Sequence, residues 1–302
     1  QPSVPPSVEP FVYDWEQVGS VLDGEATGDL FGYSVSLSRD GSRLAVGSPN
    51  NDSGGANKGR VRVFEYDTSS WVQLGADIDG EAADDYSGIS VSMSPDGGRI
   101  AIGSQYNDGG GTDAGHVRVF EYDSSSWMQV GGDIDGEAAQ DNSGVRVALS
   151  RDGSLVAVSS EQNDDGATNA GHVRVFEYDS SSWVQLGADI DGEAAGDQSG
   201  YSISLASDGT CVAIGAHFND GGGSSAGHVR VFEYDSSSWV QLGADIDGET
   251  GNDVSGIALS LSEDGSQVAI GAHLNDGAGH DAGHVRVILL LGCRSELTLT
   301  AR

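Results

Sequence analysis

Short runs of alternating apolar and polar residues, separated by clusters of Gly, Asp, Ser and Asn, organise this chain. Between residues 201 and 244 there are four such runs, and none has the length or the 3.6-residue period of a helix. An Asp-Gly pair, a strong signal for a tight hairpin, separates the first two runs. The pattern predicts a four-stranded antiparallel meander. Its runs cover residues 201–205, 211–215, 228–234 and 239–244.

The third run carries apolar groups on both of its faces. Val229 and Val231 point to one side of a strand, while Phe232 and Tyr234 point to the other. A strand that is apolar on both faces is covered on both sides, as it is where sheets stack face to face around an axis. We therefore predict an all-β fold of the β-propeller type.

The meander repeats with a period of 56 residues. Five tryptophans mark the period without an insertion or deletion, and we expect the last four of them to occupy equivalent, packed sites. A constant period of this length is typical of a repeat architecture. The repeats span residues 11–290, between a Pro-rich lead at residues 1–10 and a non-repeating tail at residues 291–302. The tryptophans are Trp15, Trp71, Trp127, Trp183 and Trp239.

The order of the runs bears on how the array closes. The first tryptophan run precedes the first complete set of the other three runs, and the last set lacks a tryptophan run. If a strand at Trp15–Val18 pairs with a strand at His284–Ile288, five blades of four strands result and no sheet edge stays open. The alternative is an open array or a fragment of a longer propeller.

The first repeat resembles the FG-GAP repeats of integrin-alpha-type propellers. Phe31-Gly32 opens its first run and Gly47-Ser48-Pro49 closes its second, and weaker versions recur in phase up to about residue 290. The resemblance implies a β-propeller that acts outside the cell in binding or adhesion, usually with seven blades. It also implies a calcium hairpin of the form Asp-x-Asp-x-Asp-Gly between the first two strands. Here that hairpin is reduced to Asp40-Gly41, which argues against calcium at that position.

Charge and hydropathy exclude several classes of function. The formal net charge is −33, from 14 Lys and Arg against 47 Asp and Glu, so binding to nucleic acid through phosphate neutralisation is excluded. The longest apolar run, Val287–Leu291, is far shorter than the ~20 residues of a membrane span, and we expect no membrane insertion. Apolar residues make up 37% of the chain, which is enough for a core.

The long loops are the expected ligand surface. Because strand direction alternates in a meander, the loops before the first strand and after the second share one face. The positions that vary most between repeats lie in these loops, where binding residues are commonly found. The alternative is free drift of exposed positions. The candidate ligand-binding residues, for a protein or glycan surface, are Tyr86, Tyr106, Phe218 and Leu274.

Carboxylates recur at alternate positions around a glycine in the loop before the first strand. Hard oxygen donors in such a pattern suit calcium. Asp and Gly also form turns through bonds between side chain and backbone, and that alternative stays open. The candidate calcium ligands are Asp77, Asp79, Glu81 and Asp85; Asp133, Asp135, Glu137 and Asp141; Asp189, Asp191, Glu193 and Asp197; and Asp245, Asp247, Glu249 and Asp253.

Histidine recurs at the start of the third strand, at His116, His172, His228 and His284, whereas the first repeat has Arg60. Because Arg cannot bind a metal, we interpret this column as a hydrogen-bonding position that closes a loop. No His and Cys spacing typical of zinc is present.

The sequence favours an extracellular or cell-surface binding module over an enzyme. No nucleophile elbow, phosphate loop or Cys-His pair occurs. A structural repeat protein without a specific ligand is the first alternative. A five-bladed glycoside hydrolase is the second, and it would need an asymmetric pair of carboxylates. No cofactor is expected beyond calcium.

Overall fold

A computed structural model describes residues 15–290, so the predicted lead at residues 1–10 and the tail at residues 291–302 lie outside the described part. The described chain is all-β, as predicted, and within it no helix is present that could span a membrane. Five successive units each form an antiparallel sheet. The strands are β1 (Ser34–Leu37), β2 (Arg43–Ser48), β3 (Arg60–Tyr66), β4 (Trp71–Gln73) and β5 (Ile78–Asp79) in unit one; β6 (Ser90–Met93), β7 (Arg99–Ser104), β8 (His116–Tyr122), β9 (Trp127–Gln129) and β10 (Ile134–Asp135) in unit two; β11 (Arg146–Leu149), β12 (Leu155–Ser160), β13 (His172–Tyr178), β14 (Trp183–Gln185) and β15 (Ile190–Asp191) in unit three; β16 (Ser202–Leu205), β17 (Cys211–Ala216), β18 (His228–Tyr234), β19 (Trp239–Gln241) and β20 (Ile246–Asp247) in unit four; and β21 (Ser255–Leu261), β22 (Gln267–Ala272) and β23 (His284–Leu289) in unit five.

The meander is confirmed in units one to four, with one difference in its outer strand. The first three strands pair in order, and the outer strand is split into two short segments that both pair with the third strand. In unit three, β14 pairs with one end of β13, and β15 pairs with the other end through Ile190 and Val173. The Leu-Gly-Ala-Asp sequence between the two segments interrupts the outer strand, because its Gly187 adopts a φ of 76°.

The core lies between neighbouring sheets. One cluster joins Val61 and Val63 of unit one to Ile100 and Ile102 of unit two, and these four side chains are at most 1% exposed. Polar links follow the same interface, since Ser34 Oγ donates to Gly88 O at 2.7 Å. The sheets therefore stack face to face, as the doubly apolar third strand predicted.

Four tryptophans occupy equivalent sites, which confirms the expectation for Trp71, Trp127, Trp183 and Trp239. Trp127 stacks on Tyr122 with ring centroids 5.2 Å apart, and its Nε1 donates to Leu74 O of the preceding outer strand at 2.9 Å. Trp71 makes the same contact with Val18 O at 3.0 Å. The segment around Val18 therefore lies beside unit one in the place of a preceding outer strand.

The predicted closing strand pair is not detected in the described residues, so closure of the array stays a prediction. Residues 15–18 form no strand, and β23 pairs with β22 alone, so the fifth sheet has three strands. The sequence supplies a reason: the Tyr that stacks on Trp in units one to four is replaced by Leu290. Val285 is 70% exposed, whereas the valines at the equivalent position of the other units are buried. Arg39 of unit one and Glu263 of unit five form an ion pair at 3.0 Å, which connects the two ends of the array.

Candidate functional site

A buried Asp–Asn pair joins the two long loops of every unit, which confirms that these loops share one face. In unit two, Asn107 Nδ2 donates to Asp85 Oδ2 at 3.2 Å, and the same oxygen accepts the Ala82 N–H at 2.8 Å. The carboxylates of Asp85 and its equivalents therefore accept hydrogen bonds that hold the two loops together. The equivalent pairs are Asn51–Asp29, Asn163–Asp141, Asn219–Asp197 and Asn275–Asp253.

The other acids of the first predicted calcium set face different surroundings. Asp77 and Asp79 form ion pairs with Arg60 at 2.8 and 2.7 Å, and Glu25 of the preceding loop joins them at 2.7 Å. Glu81 turns towards unit two. The structure therefore does not gather the four acids of one loop around a single point, and calcium binding by these sets stays a prediction.

Melting curves test that prediction against simple screening. A net charge of −33 repels itself, so salt should stabilise the fold through screening over a Debye length of about 8–10 Å. We expect millimolar calcium and sodium chloride of matched ionic strength to raise the melting temperature equally above that in a chelator. A further, saturable rise in calcium alone would establish specific sites. The same melting temperature in calcium, in sodium chloride and in the chelator would contradict both specific sites and screening.

Three members of the histidine column, His116, His172 and His228, are buried without hydrogen bonds, so the predicted loop-closing role is wrong for them. His116 is 1% exposed, and neither of its ring nitrogens has a hydrogen-bond partner within the described chain. Its Nδ1 is 3.8 Å from Glu81 Oε2, and a carboxylate oxygen of Asp133 lies within 4.8 Å of both groups. Burial lowers the pKa of His116 to about 4, and the nearby Arg118 lowers it further in the same direction. The imidazole is therefore neutral at pH 7.

A second group of side chains lies where the first strands of neighbouring units face one another. The first strands of units one, two and three line a cleft of about 360 Å³ with residues that include Tyr33, Ile89 and Arg146. Several positions in and beside this cleft depart from the repeat. We call them the axial cluster: Tyr86, Tyr106, Arg146, Glu161, Tyr201, His217 and Phe218.

Two of the predicted ligand-binding residues meet at one side of the axial cluster. The rings of Tyr86 and Tyr106 contact edge to face at 5.3 Å. Tyr106 also borders a polar cleft of about 350 Å³ with Gln140, Asn142 and Gln162. Rings and amides side by side are typical of ligand pockets.

The other side of the axial cluster contains Phe218, which is 42% exposed. His217 stacks between Phe218 and Tyr201, with ring centroids 3.8 and 3.9 Å apart. Arg146 lies 5.3 Å over the Tyr201 ring. Leu274, the fourth predicted residue, is half-buried in unit five, where its N–H donates to Asp253 O at 3.4 Å.

Glu161 lies between the two sides. Burial raises the pKa of its carboxyl group, although Arg146 acts in the opposite direction. Its Oε2 is buried without a hydrogen-bond partner in the described residues. Sequence reasoning did not select Glu161, Arg146 or His217, and the signal that could have found them was their departure from the repeat.

One variable column is held in a strained backbone conformation. Its residues have φ between 52° and 57°, although none is glycine. A left-handed conformation costs an L-residue about 1–2 kcal/mol, and such strain is concentrated at functional sites. The backbone conformation of this loop position is therefore shared by all five units, although its side chain varies. The column comprises Leu30, Tyr86, Asn142, Gln198 and Val254.

Acid should destabilise the axial cluster through His217. Burial lowers its pKa to about 4, with His273 and Arg146 contributing, whereas an unfolded His titrates near 6.5. Between these values the unfolded state binds the proton first, so stability falls as pH falls. We expect the loss between pH 7 and 5 to be about 1–2 kcal/mol smaller in His217→Gln, measured by denaturant unfolding. Gln stands at the same position in unit two, as Gln105. An equal loss in both proteins would contradict the prediction.

Comparison with known proteins supports the repeat assignment for unit one. Residues 15–64 match the FG-GAP repeat model, in agreement with the resemblance at Phe31-Gly32. No curated protein matches the chain at a significant level. Among solved structures, Kuenenia stuttgartiensis hydrazine synthase has a TM-score of 0.49 at 15% identity over 84% of this chain and 59% of that one. A putative 6-phosphogluconolactonase from Bacteroides uniformis has a TM-score of 0.49 at 12% identity over 85% of this chain and 80% of that one. The chain thus spans less than two thirds of the hydrazine synthase chain.

Proposed function

We propose that this protein is a non-catalytic binding or adhesion module of the cell surface or extracellular space. Its ligand docks on the long-loop face at the axial cluster. The observation that carries this proposal is that rings and charges breaking the 56-residue repeat form two contacting groups, Tyr86 with Tyr106 and Tyr201 with His217 and Arg146. The extracellular setting is supported by Cys211, which is disulfide-bonded, since disulfides persist in oxidising compartments.

The chemistry favours a neutral or basic oligosaccharide as the ligand. Tyr106 and Phe218 present ring surface, and neighbouring amides of Gln140 and Asn142 supply donors and acceptors. The net charge of −33 repels anionic ligands. A protein partner would be engaged through the same rings, since Tyr is enriched at binding hot spots.

An array of neutral and basic oligosaccharides tests the proposal. We expect the wild type to bind selected oligosaccharides and Tyr106→Ala to lose at least about tenfold in affinity, the ~1.4 kcal/mol of a modest hot spot. Asp123→Asn, in an exposed turn at the opposite end of the strands, is the matched control and should bind as the wild type does. Equal binding by Tyr106→Ala, or binding to none of the array, would contradict the glycan proposal.

Glu161 supports one alternative, a glycoside hydrolase. A buried carboxyl group with a raised pKa suits a general acid, but hydrolysis also needs a second carboxylate at about 5–9.5 Å. Incubation of a bound oligosaccharide with wild type and Glu161→Gln separates the two functions. Release of reducing ends by the wild type and not by the variant would establish the enzyme and overturn the binding module.

Closure of the five units into a ring is part of the proposal. Val18 already lies where a preceding outer strand belongs, and the ends of the array touch through Arg39 and Glu263. We expect deletion of residues 1–20 to lower the melting temperature more than Trp71→Phe does. The point variant loses only the bond to Val18, worth about 1 kcal/mol. A deletion that melts like Trp71→Phe would argue for an open array.

A further inference from the structure

Units two, three and four each enclose one buried histidine between carboxylates of two successive loops. In unit four, Glu193 comes from the loop before the first strand, His228 from the start of the third strand, and Asp245 from the outer strand. Within each group the candidate ligand atoms lie within 4.8 Å of one another. The groups are Glu81, His116 and Asp133; Glu137, Asp165, His172 and Asp189; and Glu193, His228 and Asp245.

The imidazoles are unsatisfied although they are buried. His116, His172 and His228 are at most 1% exposed, and neither ring nitrogen of any of them has a hydrogen-bond partner within residues 15–290. A buried polar group without a partner costs about 1–3 kcal/mol. The same cost recurs at the equivalent position of three units. A ligand bound between each histidine and its carboxylates would explain it.

Unit one shows what fills the same place. There the histidine is replaced by Arg60, whose Nη1 lies 2.7 Å from Glu25 and 2.8 Å from Asp77. Glu25 and Asp77 are the repeat equivalents of Glu81 and Asp133. In unit one, the positive charge of Arg60 therefore lies between these two carboxylates. In units two, three and four, a buried imidazole without a hydrogen-bond partner stands at the position of Arg60.

We propose that units two, three and four each bind a divalent transition cation, of which zinc is the type, and that the Arg60 guanidinium takes the cation's place in unit one. One imidazole nitrogen and two or three carboxylate oxygens form a donor set that suits zinc. Calcium prefers six to eight oxygens and is disfavoured by the nitrogen ligand. The site differs from the calcium sets considered above, because its ligands come from two successive loops and include histidine. It does not depend on the proposed oligosaccharide binding.

The surroundings rank the three sites. Unit three adds Asp165 at a position held by Ser or Gly in the other units, and we expect it to bind most tightly. In unit two, Arg118 Nη1 lies 3.8 Å from Glu81 Oε1, which leaves Oε2 directed at the histidine. Unit five keeps Glu249 and His284 at 3.8 Å, but the repeat position of the third ligand is Ala301.

Counting bound zinc in substituted proteins tests the proposal. Calorimetric titration of the metal-free protein with zinc chloride, in excess calcium to occupy exposed acids, should give three sites. Every protein in the series carries His280→Asn, which removes the exposed group of Asp276, His280 and Asp281. His172→Arg, which copies unit one, should remove one site, and Arg60→His should add one. Asp179→Asn, in a turn remote from the sites, is the control and should leave the number unchanged.

Cobalt gives a second readout, since its visible absorption reports ligation by nitrogen and oxygen. We expect the band to diminish by about a third in His172→Arg and in Glu137→Gln, which keeps the size of the side chain. Zinc numbers that are the same in His172→Arg, Arg60→His and the parent would overturn the proposal. Zinc binding no tighter than calcium binding would also overturn the proposal, because such binding would reflect only screening of a charged surface.

Discussion

Gly115→Ala should unfold the array at a temperature well below that of the wild type. Gly115 has a φ of 74° and forms a bridge with Ser143 of the next unit. An added Cβ would fall 2.5 Å from Ser143 N and closer still to Ser143 O. Left-handed strain and a backbone clash together should cost at least about 3 kcal/mol, or roughly 6–12 °C in melting temperature.

Gly132→Ala is the matched control in the same unit. A Cβ at Gly132 meets nothing within 4 Å, and Ala already occupies this position in units one, three and four. We expect its melting curve to overlay that of the wild type. If the two variants melted alike, the contact between Gly115 and Ser143 would not hold neighbouring units together.

Truncation of a packed tryptophan should produce the second large loss. Trp127 is 9% exposed, stacks on Tyr122 and bonds to Leu74 O of the preceding unit. We expect Trp127→Ala to lose about 3–5 kcal/mol in free energy of unfolding, measured with guanidinium. Fluorescence of the folded wild type should also be blue-shifted relative to the unfolded protein.

Two further variants separate the contributions of Trp127. Trp127→Phe keeps an aromatic ring but loses the bond to Leu74 O, so it should cost less than the Ala variant. Met128→Ala, on the 56% exposed neighbour of Trp127, should change stability by less than about 0.5 kcal/mol. A Trp127→Ala protein as stable as Met128→Ala would show that this column is surface rather than core.

Sequence periodicity predicted the strands well because each depends on local signals. Alternation and Asp-Gly hairpins reappear in every unit, the tryptophan strand reappears in units one to four, and strands such as β17 and β18 follow the predicted runs. The predicted closing pair is not detected in the described residues. It depends on whether residues 15–18 and β23, more than 260 residues apart, meet in space, and the loss of the stacking Tyr at Leu290 weakens that pairing.

The candidate sites were harder to predict, because their residues are far apart in the sequence. Glu81, His116 and Asp133 are separated by 35 and 17 residues, and the pairing of β8 with β10 helps to bring their loops together. In the sequence, Arg60 in the histidine column argued against a metal site, because Arg cannot be a metal ligand. In the structure it argues for a cation, since its own charge lies between the two carboxylates. Loop acids such as Asp85 could be placed only once their bond to Asn107 was seen.

The central claim, that the axial cluster binds a ligand, is tested most directly by nuclear magnetic resonance. Protein labelled with carbon-13 in its Tyr and Phe rings is titrated with the oligosaccharide that binds best on the array. We expect the ring signals of Tyr86, Tyr106 and Phe218 to shift together with one dissociation constant. The signal of Tyr178, which stacks on Trp183 at the other end of its strand, should stay in place. Shifts at Tyr178 with none at Tyr106 and Phe218 would contradict the account.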